Sequence, residues 1–238
     1  MAQLKVLSSG SHGNAYILEC GNEQLIIELG IKWKDILKGL DYDLTKVQGC
    51  VASHQHSDHL KSIKNALKSG LSVYSCSEVQ SIHSKAKVLE MGKKTLIGGF
   101  RVQPIPLEHS VQCYGFIIEH KECGKILFAT DCKEFKYKVK NLHHILIECN
   151  YSEDVLIENM CDNVEMRSHH ENHLELNDCV AAIKANYNAN LQNVVLIHLS
   201  NNNSNEAVFV DTVKSAIGLN NVYVAKEGLN INLDKEEF

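Results

Sequence analysis

Apolar and polar positions along the chain form short apolar or alternating runs, separated by stretches in which apolar residues recur every three or four positions. Short runs are typical of strands, and the longer repeats are typical of amphipathic helices. The predicted strands are Leu4–Leu7, Ala15–Cys20, Gln24–Leu29, Gly49–Ala52, Ser72–Ser75, Arg101–Pro104, Cys113–Glu119, Ile126–Ala129, His144–Glu148 and Val194–Leu199. The predicted helices are Trp33–Leu40, Leu60–Ser69, Glu78–Lys85, Asn177–Asn186 and Glu206–Ile217. Mixed strands with helices outside them predict an α/β layered fold, which we expect to form one domain over residues 1–238.

The composition adds little to this picture. The chain has 238 residues, 44% of them hydrophobic, and a net charge of −5, so no global basic field indicates a nucleic-acid or membrane partner. Nine cysteines stand singly, which favours reduced thiols and a cytoplasmic protein. The start MAQLKVLSSG has no signal-peptide pattern, and no apolar run approaches the roughly 18 residues of a membrane span.

The stretch SHQHSDHL, residues 53–60, places His54, His56, Asp58 and His59 directly after an apolar run. Imidazole and carboxylate groups are preferred ligands of zinc and similar divalent ions. On a loop that leaves a strand, the first two histidines can converge on one ion and the Asp-His pair on a second. The alternative is a chance cluster of surface histidines, which 13 histidines in 238 residues make rare.

Three further candidate ligands stand where apolar strands end. His109 lies in PLEHS, Asp131 closes ILFATD, and His198 lies in VVLIHLS. A lone residue in such a place is more often a hydrogen-bonded loop residue than a ligand. Together with the histidine cluster, in this order, the three predict a centre for two divalent ions, zinc or manganese.

This order of ligands resembles the metallo-β-lactamase superfamily of metal-dependent hydrolases. The resemblance implies an αβ/βα four-layer sandwich of two mixed β-sheets flanked by helices, with the site at one edge. It implies that one ion binds His54, His56 and His109, that the other binds Asp58, His59 and His198, and that Asp131 bridges both. A carboxylate bridge favours phosphodiester over lactam chemistry. Glu28 stands where the superfamily usually has Asp, and is expected to support the histidine loop.

Four stretches resemble the WalJ-type (YycJ) branch of bacterial DNA exonucleases: LSSGSHGNAYIL, LIECNYSEDVL, ENHLEL and HLSNNNSNEA. The acidic position of the second stretch is matched only approximately, by Glu153 or Asp154. From these stretches we expect Ser11, Asn14 and Asn150 to contact substrate, and His173 to contact phosphate or act as a general acid. The alternatives are a plain Ser8–Asn14 turn and a surface histidine. The other histidines are expected to be structural or solvated: His12, His83, His120, His143, His144, His169 and His170.

The predicted function is a dinuclear-metal-dependent phosphodiester hydrolase, a DNA exonuclease in which a hydroxide between the two ions attacks phosphorus. Asp58 would orient that hydroxide, and His173 would protonate the leaving oxygen. Lysines in residues 133–140, Lys136 and Lys138 above all, would track the phosphate backbone near the mouth of the site. The alternative for that stretch is a solvated edge strand.

Three other functions stay open. A small-molecule phosphodiesterase, such as a cyclic nucleotide phosphodiesterase, needs the same ions without a long basic channel. The intact ligand set disfavours a catalytically silent nucleic-acid-binding scaffold. The match to the exonuclease branch along the whole chain disfavours thioesterase-like or glyoxalase-like hydrolysis.

Overall fold

A computed structural model describes residues 1–160 and 172–235 of the chain. Two seven-stranded sheets form its centre. The first sheet contains β1 (Ala2–Ser8), β2 (Ala15–Cys20), β3 (Glu23–Ile27), β4 (Val47–Val51), β5 (Val73–Ser75), β6 (Lys87–Val88) and β14 (Asn230–Asn232). Its order is β14-β1-β2-β3-β4-β5-β6. The strands pair antiparallel from β14 to β3 and parallel from β3 to β6, so the sheet is mixed.

The second sheet contains β7 (Thr95–Ile97), β8 (Phe100–Leu107), β9 (Cys113–His120), β10 (Gly124–Ala129), β11 (His144–Glu148), β12 (Asn193–Ile197) and β13 (Val222–Val224). Its order is β13-β12-β11-β10-β9-β8-β7. Strands β10 to β13 are parallel, and β7 to β10 are antiparallel. Because parallel strands end at the same edge of a sheet, residues that follow β10, β11 and β12 come together.

Helices cover the outer faces of both sheets. They are α1 (Trp33–Gly39), α2 (Ser57–Leu60), α3 (Ile63–Lys68), α4 (Ser77–Ile82), α5 (Glu153–Met160), α6 (Leu176–Asn186) and α7 (Glu206–Ile217). The ends of α7 follow local chemistry, because the Asn205 side chain accepts from the Val208 amide and Gly218 ends the helix at φ 71°. No helix in residues 1–160 and 172–235 is long and apolar enough to cross a membrane.

Two apolar layers hold the sheets and helices together. Between the sheets, Tyr16 and Phe116 are buried against Phe128, with ring centroids 5.6 and 6.2 Å apart. On the outer face of the second sheet, residues of α6 and α7 such as Ile183 and Phe209 join a second buried cluster. The architecture confirms the predicted four-layer sandwich of two mixed sheets flanked by helices.

Local departures from the predicted elements have physical causes. The predicted helix Leu60–Ser69 is the shorter α3, because Ser62 turns away to donate its amide to Leu29 O and its hydroxyl to Ile31 O. Helix α2, which ends at Leu60, was not predicted. Strands β6, β7, β13 and β14 were not predicted, since two or three residues are too few to show alternation. Helix α5 was not predicted either.

Candidate metal centre

The predicted ligands converge at one edge of the sandwich. The histidine loop follows β4, and His109 is the second residue after β8. Asp131 and His198 follow β10 and β12, which are parallel and flank β11. Four strand ends from both sheets therefore supply the centre.

His54, His56 and His109 form the first cluster. Their ligand nitrogens lie within 4.8 Å of one another. His54 Nε2 is 2.9 Å from His56 Nδ1, and His109 Nε2 is 3.3 Å from the same atom. These three nitrogens could hold one divalent ion.

Asp58, His59, Asp131 and His198 form the second cluster, again within 4.8 Å. Asp58 Oδ2 lies 3.2 Å from His59 Nε2 and 3.5 Å from His198 Nε2. His198 Nε2 is buried, and no described residue, Asp58 at 3.5 Å included, meets it with the geometry of a hydrogen bond. Because a buried polar atom rarely stays without a partner, this orphaned nitrogen fits a ligand of a bound ion.

Asp131 lies between the two clusters. Its Oδ2 is 3.8 Å from His54 Nε2 and 3.9 Å from His109 Nε2, both in the first cluster. Its Oδ1 is 3.3 Å from His59 Nε2, in the second. One carboxylate thus presents one oxygen to each cluster, as a bridging ligand would.

The charge of the centre also fits cations. Asp131 and Glu148 are buried, and among the described residues the ion pairs of Asp58, Asp131 and Glu148 are all with histidines. Burial lowers the pKa of His198, but the carboxylates of Asp131, Asp58 and Glu148 outweigh it and raise that pKa to about 10. Buried carboxylates require compensating positive charge, which divalent ions would supply with histidine and carboxylate ligands.

Glu28 supports the histidine loop, as the sequence indicated. It is buried at the end of β3 and accepts the Ser53 amide at 3.1 Å. Its Oε2 is 3.3 Å from His59 Nδ1. The longer side chain in place of the usual Asp therefore still contacts His59, at the ring nitrogen that faces away from the centre.

Glu148 is a residue of the centre that the sequence interpretation missed. It is buried at the end of β11 and accepts the amides of Cys132 and Leu174 at 2.8 and 3.1 Å. Its Oε1 also lies 2.6 Å from His173 Nδ1 and 3.1 Å from His198 Nδ1. The signal was available, since Glu148 closes the apolar run HILIE as Asp131 closes ILFATD.

His173 lies against the metal centre. Its ring stacks on His198 with centroids 5.3 Å apart, and 19% of its side chain is exposed. Burial lowers the pKa of His173, but the Glu148 carboxylate outweighs this and raises it above the usual value. His173 therefore lies at the rim of the two clusters with its Nδ1 against a buried carboxylate.

A model of the family described as "Beta-lactamase superfamily domain" matches residues 36–199, which is more than half of the chain and includes all seven candidate ligands. The chain belongs to this family. The structure is similar to the metallo-beta-lactamase fold protein YhfI from Bacillus subtilis, with a TM-score of 0.76, 16% identity, and coverage of 98% of this chain and 100% of that one.

Two similar proteins carry a named activity. Over 170 residues the chain is 24% identical to exodeoxyribonuclease WalJ of Streptococcus pneumoniae serotype 2, covering 63% of each chain. Over 168 residues it is 24% identical to exodeoxyribonuclease YycJ of Bacillus anthracis, covering 63% of this chain and 64% of that one. The match thus spans less than two thirds of each relative. Family, fold and relatives together support a metal-dependent hydrolase.

Within this family site, two predicted substrate residues contact the candidate ligands themselves. Asn14 is buried, accepts the Gly10 amide, and places its Nδ2 3.2 Å from His59 Nε2. Asn150 is buried and donates Nδ2 to His198 O at 2.8 Å. Both amides hold ligand-bearing backbone or rings in place, and their contact with substrate stays a prediction.

The remaining sequence-predicted residues are more scattered. Ser11 is exposed in the loop before β2, and its contact with substrate stays a prediction. Glu153 and Asp154 open α5. His169 and His170 lie outside the described residues.

For the lysine stretch, residues 133–140, contact with a phosphate backbone stays a prediction, and the alternative of an edge strand is wrong. The stretch is irregular chain and not an edge strand. Lys133 lies beside the centre, since its amide donates to Glu108 O next to His109. The Lys140 carbonyl oxygen, in contrast, accepts a hydrogen bond from Lys125 Nζ near the start of β10, at the opposite edge of the sheet. The stretch therefore leads away from the mouth; Lys136, paired with Glu134, and Lys138 are exposed between its ends.

Proposed function

We propose that the protein is a dinuclear-metal-dependent phosphodiester hydrolase, and specifically a DNA exonuclease. The observation that carries the proposal is the Asp131 carboxylate, which offers one oxygen to each of two ligand clusters. Similarity to exodeoxyribonucleases WalJ and YycJ supports DNA as the substrate.

The residues of the two clusters would each hold one ion, with Asp131 shared. Two divalent ions, when bound, polarise a phosphoryl oxygen and lower the pKa of a water molecule. Zinc and manganese both suit histidine and carboxylate ligands. Asp58, whose Oδ2 faces the histidines of the second cluster while 22% of its side chain is exposed, would orient the attacking water.

His173 would supply the proton that the leaving oxygen needs. Its Nδ1–H would donate a hydrogen bond to Glu148, so Nε2 would carry the proton that is transferred. The same carboxylate contacts His198, so the proton donor and a ligand of the second cluster are oriented by one group. A sugar alkoxide is a poor leaving group, and a general acid accelerates its departure.

One observation favours a second candidate, a small-molecule phosphodiesterase such as a cyclic nucleotide phosphodiesterase. The lysine stretch runs from Glu108, next to His109, to Lys125 at the opposite edge of the second sheet, so its far end lies away from the reacting atoms. A small substrate needs no such track.

A substrate panel tests the proposal and separates the two candidates. Protein reconstituted with zinc or manganese is assayed on end-labelled single- and double-stranded DNA, RNA, cyclic mononucleotides and bis-(p-nitrophenyl) phosphate. We expect stepwise shortening of DNA from an end, together with slower hydrolysis of the small diester. Cleavage of cyclic mononucleotides alone would favour the second candidate, and no hydrolysis of any phosphodiester would refute both.

A further inference from the structure

The Ser53 hydroxyl lies between two candidate ligands that belong to different clusters. Ser53 is fully buried, and its Oγ is 2.8 Å from His54 Nδ1 and 3.3 Å from His59 Nδ1. The two rings are neighbours, with centroids 4.2 Å apart. A single oxygen therefore contacts one histidine of each cluster on the side away from the centre.

The chemistry of imidazole gives this contact a consequence. His54 and His59 turn Nε2 toward the centre, at 3.8 Å from Asp131 Oδ2 and 3.3 Å from Asp131 Oδ1. A neutral histidine that ligates through Nε2 carries its proton on Nδ1 and needs an acceptor there. A hydroxyl oxygen has two lone pairs, so Ser53 Oγ can accept from both rings.

The backbone holds this hydroxyl in place from both sheets. The Ser53 amide donates to Glu28, which follows β3 in the first sheet, at 3.1 Å. The Ser53 carbonyl accepts from the Tyr114 amide of β9, in the second sheet, at 3.1 Å. Because both backbone groups are bonded, the Ser53 main chain is fixed where the two sheets meet, and its side chain is presented to the two rings.

The two rings depend on Ser53 to different degrees. His59 Nδ1 has a second acceptor, the Glu28 carboxylate, at 3.3 Å. Besides Ser53, His54 Nδ1 has the Cys113 sulfur at 3.6 Å, and a thiol sulfur is a weak acceptor. Loss of the hydroxyl should therefore affect the first cluster more than the second.

We propose that Ser53 is a positioning residue that sets the tautomer of one ligand in each cluster. The affinities of the two clusters for their ions therefore both depend on this one residue. The inference rests on the two-ion centre of the proposed function, and its measurements are independent of substrate turnover.

The test compares Ser53→Ala and Ser53→Thr with Ser75→Ala. Ser75 is a matched control, since it is equally buried and its hydroxyl donates to the Ala52 carbonyl, which directly follows the neighbouring strand β4. Zinc affinity at each step is measured by competition with a chromophoric chelator. We expect Ser53→Ala to weaken one binding step about 10- to 100-fold and the other less, as for lost contacts behind metal ligands. Ser53→Thr, which keeps the hydroxyl, and Ser75→Ala should bind zinc as the wild type does.

A second measurement needs no variant. Long-range ¹H–¹⁵N NMR spectra of the zinc-loaded wild-type protein should show His54 and His59 with the proton on Nδ1. A proton on Nε2 of either ring, or unchanged zinc affinity of Ser53→Ala at both steps, would overturn the inference. Equal losses in Ser53→Ala and Ser75→Ala would do so too. Failure of the proposed function would instead appear as no hydrolysis in the substrate panel despite bound zinc.

Discussion

Three residues of the centre hold a left-handed backbone at the ends of strands. Glu28, Asp131 and His198 have φ values of 66°, 37° and 54°. For residues with a side chain this region costs on the order of 1–3 kcal/mol each, and it persists where surrounding contacts impose it. All three side chains are buried and contact members of the clusters, since Glu28 and Asp131 contact His59 and His198 contacts Asp58, so this backbone turns each of them toward the centre.

Asp131→Asn should separate charge from shape. The amide keeps the volume of the side chain, but it removes the negative charge that faces both clusters. Since a two-ion site supplies several kcal/mol, we expect phosphodiester hydrolysis to fall by about 10³-fold or more while circular dichroism stays unchanged. Asp211→Asn, on the exposed surface of α7, is the control. Near wild-type turnover of Asp131→Asn would show that the ligand assignment is wrong.

His173→Ala should affect substrates according to their leaving groups. DNA has a poor leaving group and should be cleaved about 10²–10⁴-fold more slowly, the usual contribution of general acid catalysis. Bis-(p-nitrophenyl) phosphate releases a stable phenolate, so its hydrolysis should stay nearly intact. Glu148→Gln should show the same selectivity if it acts through His173. Equal losses on both substrates would make His173 a phosphate-binding or structural residue.

Among strands and helices, the sequence predicted those whose pattern is local. The long strands and α7 have clear periodicity, and the ligand motifs stand at strand ends, so a layered α/β fold and a two-ion centre could be predicted from the pattern. The four-layer sandwich and the division of the ligands between the two ions followed only from the resemblance to the metallo-β-lactamase superfamily. Strands β6 and β13 exist only because neighbours pair with them. Glu148 ends an apolar run, which is a local signal, but its contacts with His173 and His198 depend on β11 lying between β10 and β12, an order that no local pattern contains.

The course of residues 133–140 predicts a graded effect of lysine neutralisation. Lys133→Gln, beside the centre, should weaken DNA binding and flatten its salt dependence, because fewer counterions are released. Lys140→Gln should change neither, since its backbone lies near the start of β10, roughly 20 Å from the end that carries Asp131. Lys136→Gln and Lys138→Gln should fall between them. Affinities at several salt concentrations decide this, and equal effects at both ends would contradict the gradient.

For the folded chain as a whole, His144 predicts an acid-sensitive step. It is buried, accepts from Asn193 Nδ2 and donates to Leu233 O, so its neutral form is satisfied. Burial lowers its pKa to about 4. As the pH falls, His144 binds a proton in the unfolded chain at a higher pH than in the folded chain. The folded chain therefore loses about 3 kcal/mol of stability between pH about 6.5 and pH about 4. In urea unfolding with chelator, the stability difference between wild type and His144→Gln should shrink by that amount, and a constant difference would contradict it.

The metal centre should also act as a clamp between the two sheets. Its ligands come from β4 in the first sheet and from β8, β10 and β12 in the second, so ions that bind only the folded chain stabilise the contact between the sheets. At a free metal concentration about 1,000 times Kd, one site contributes about 4 kcal/mol. For a chain of this size that corresponds to a rise in Tm of roughly 8–16 °C.

Scanning calorimetry with and without zinc or manganese measures the shift, and elemental analysis should find two ions per chain. His198→Ala should lose chiefly the second ion and part of the shift. No bound transition metal and no change in Tm after reconstitution would remove the two-ion centre, and with it the proposed function. One domain over residues 1–238 and a cytoplasmic location stay predictions, and a single calorimetric transition that moves as one unit with metal would support the former.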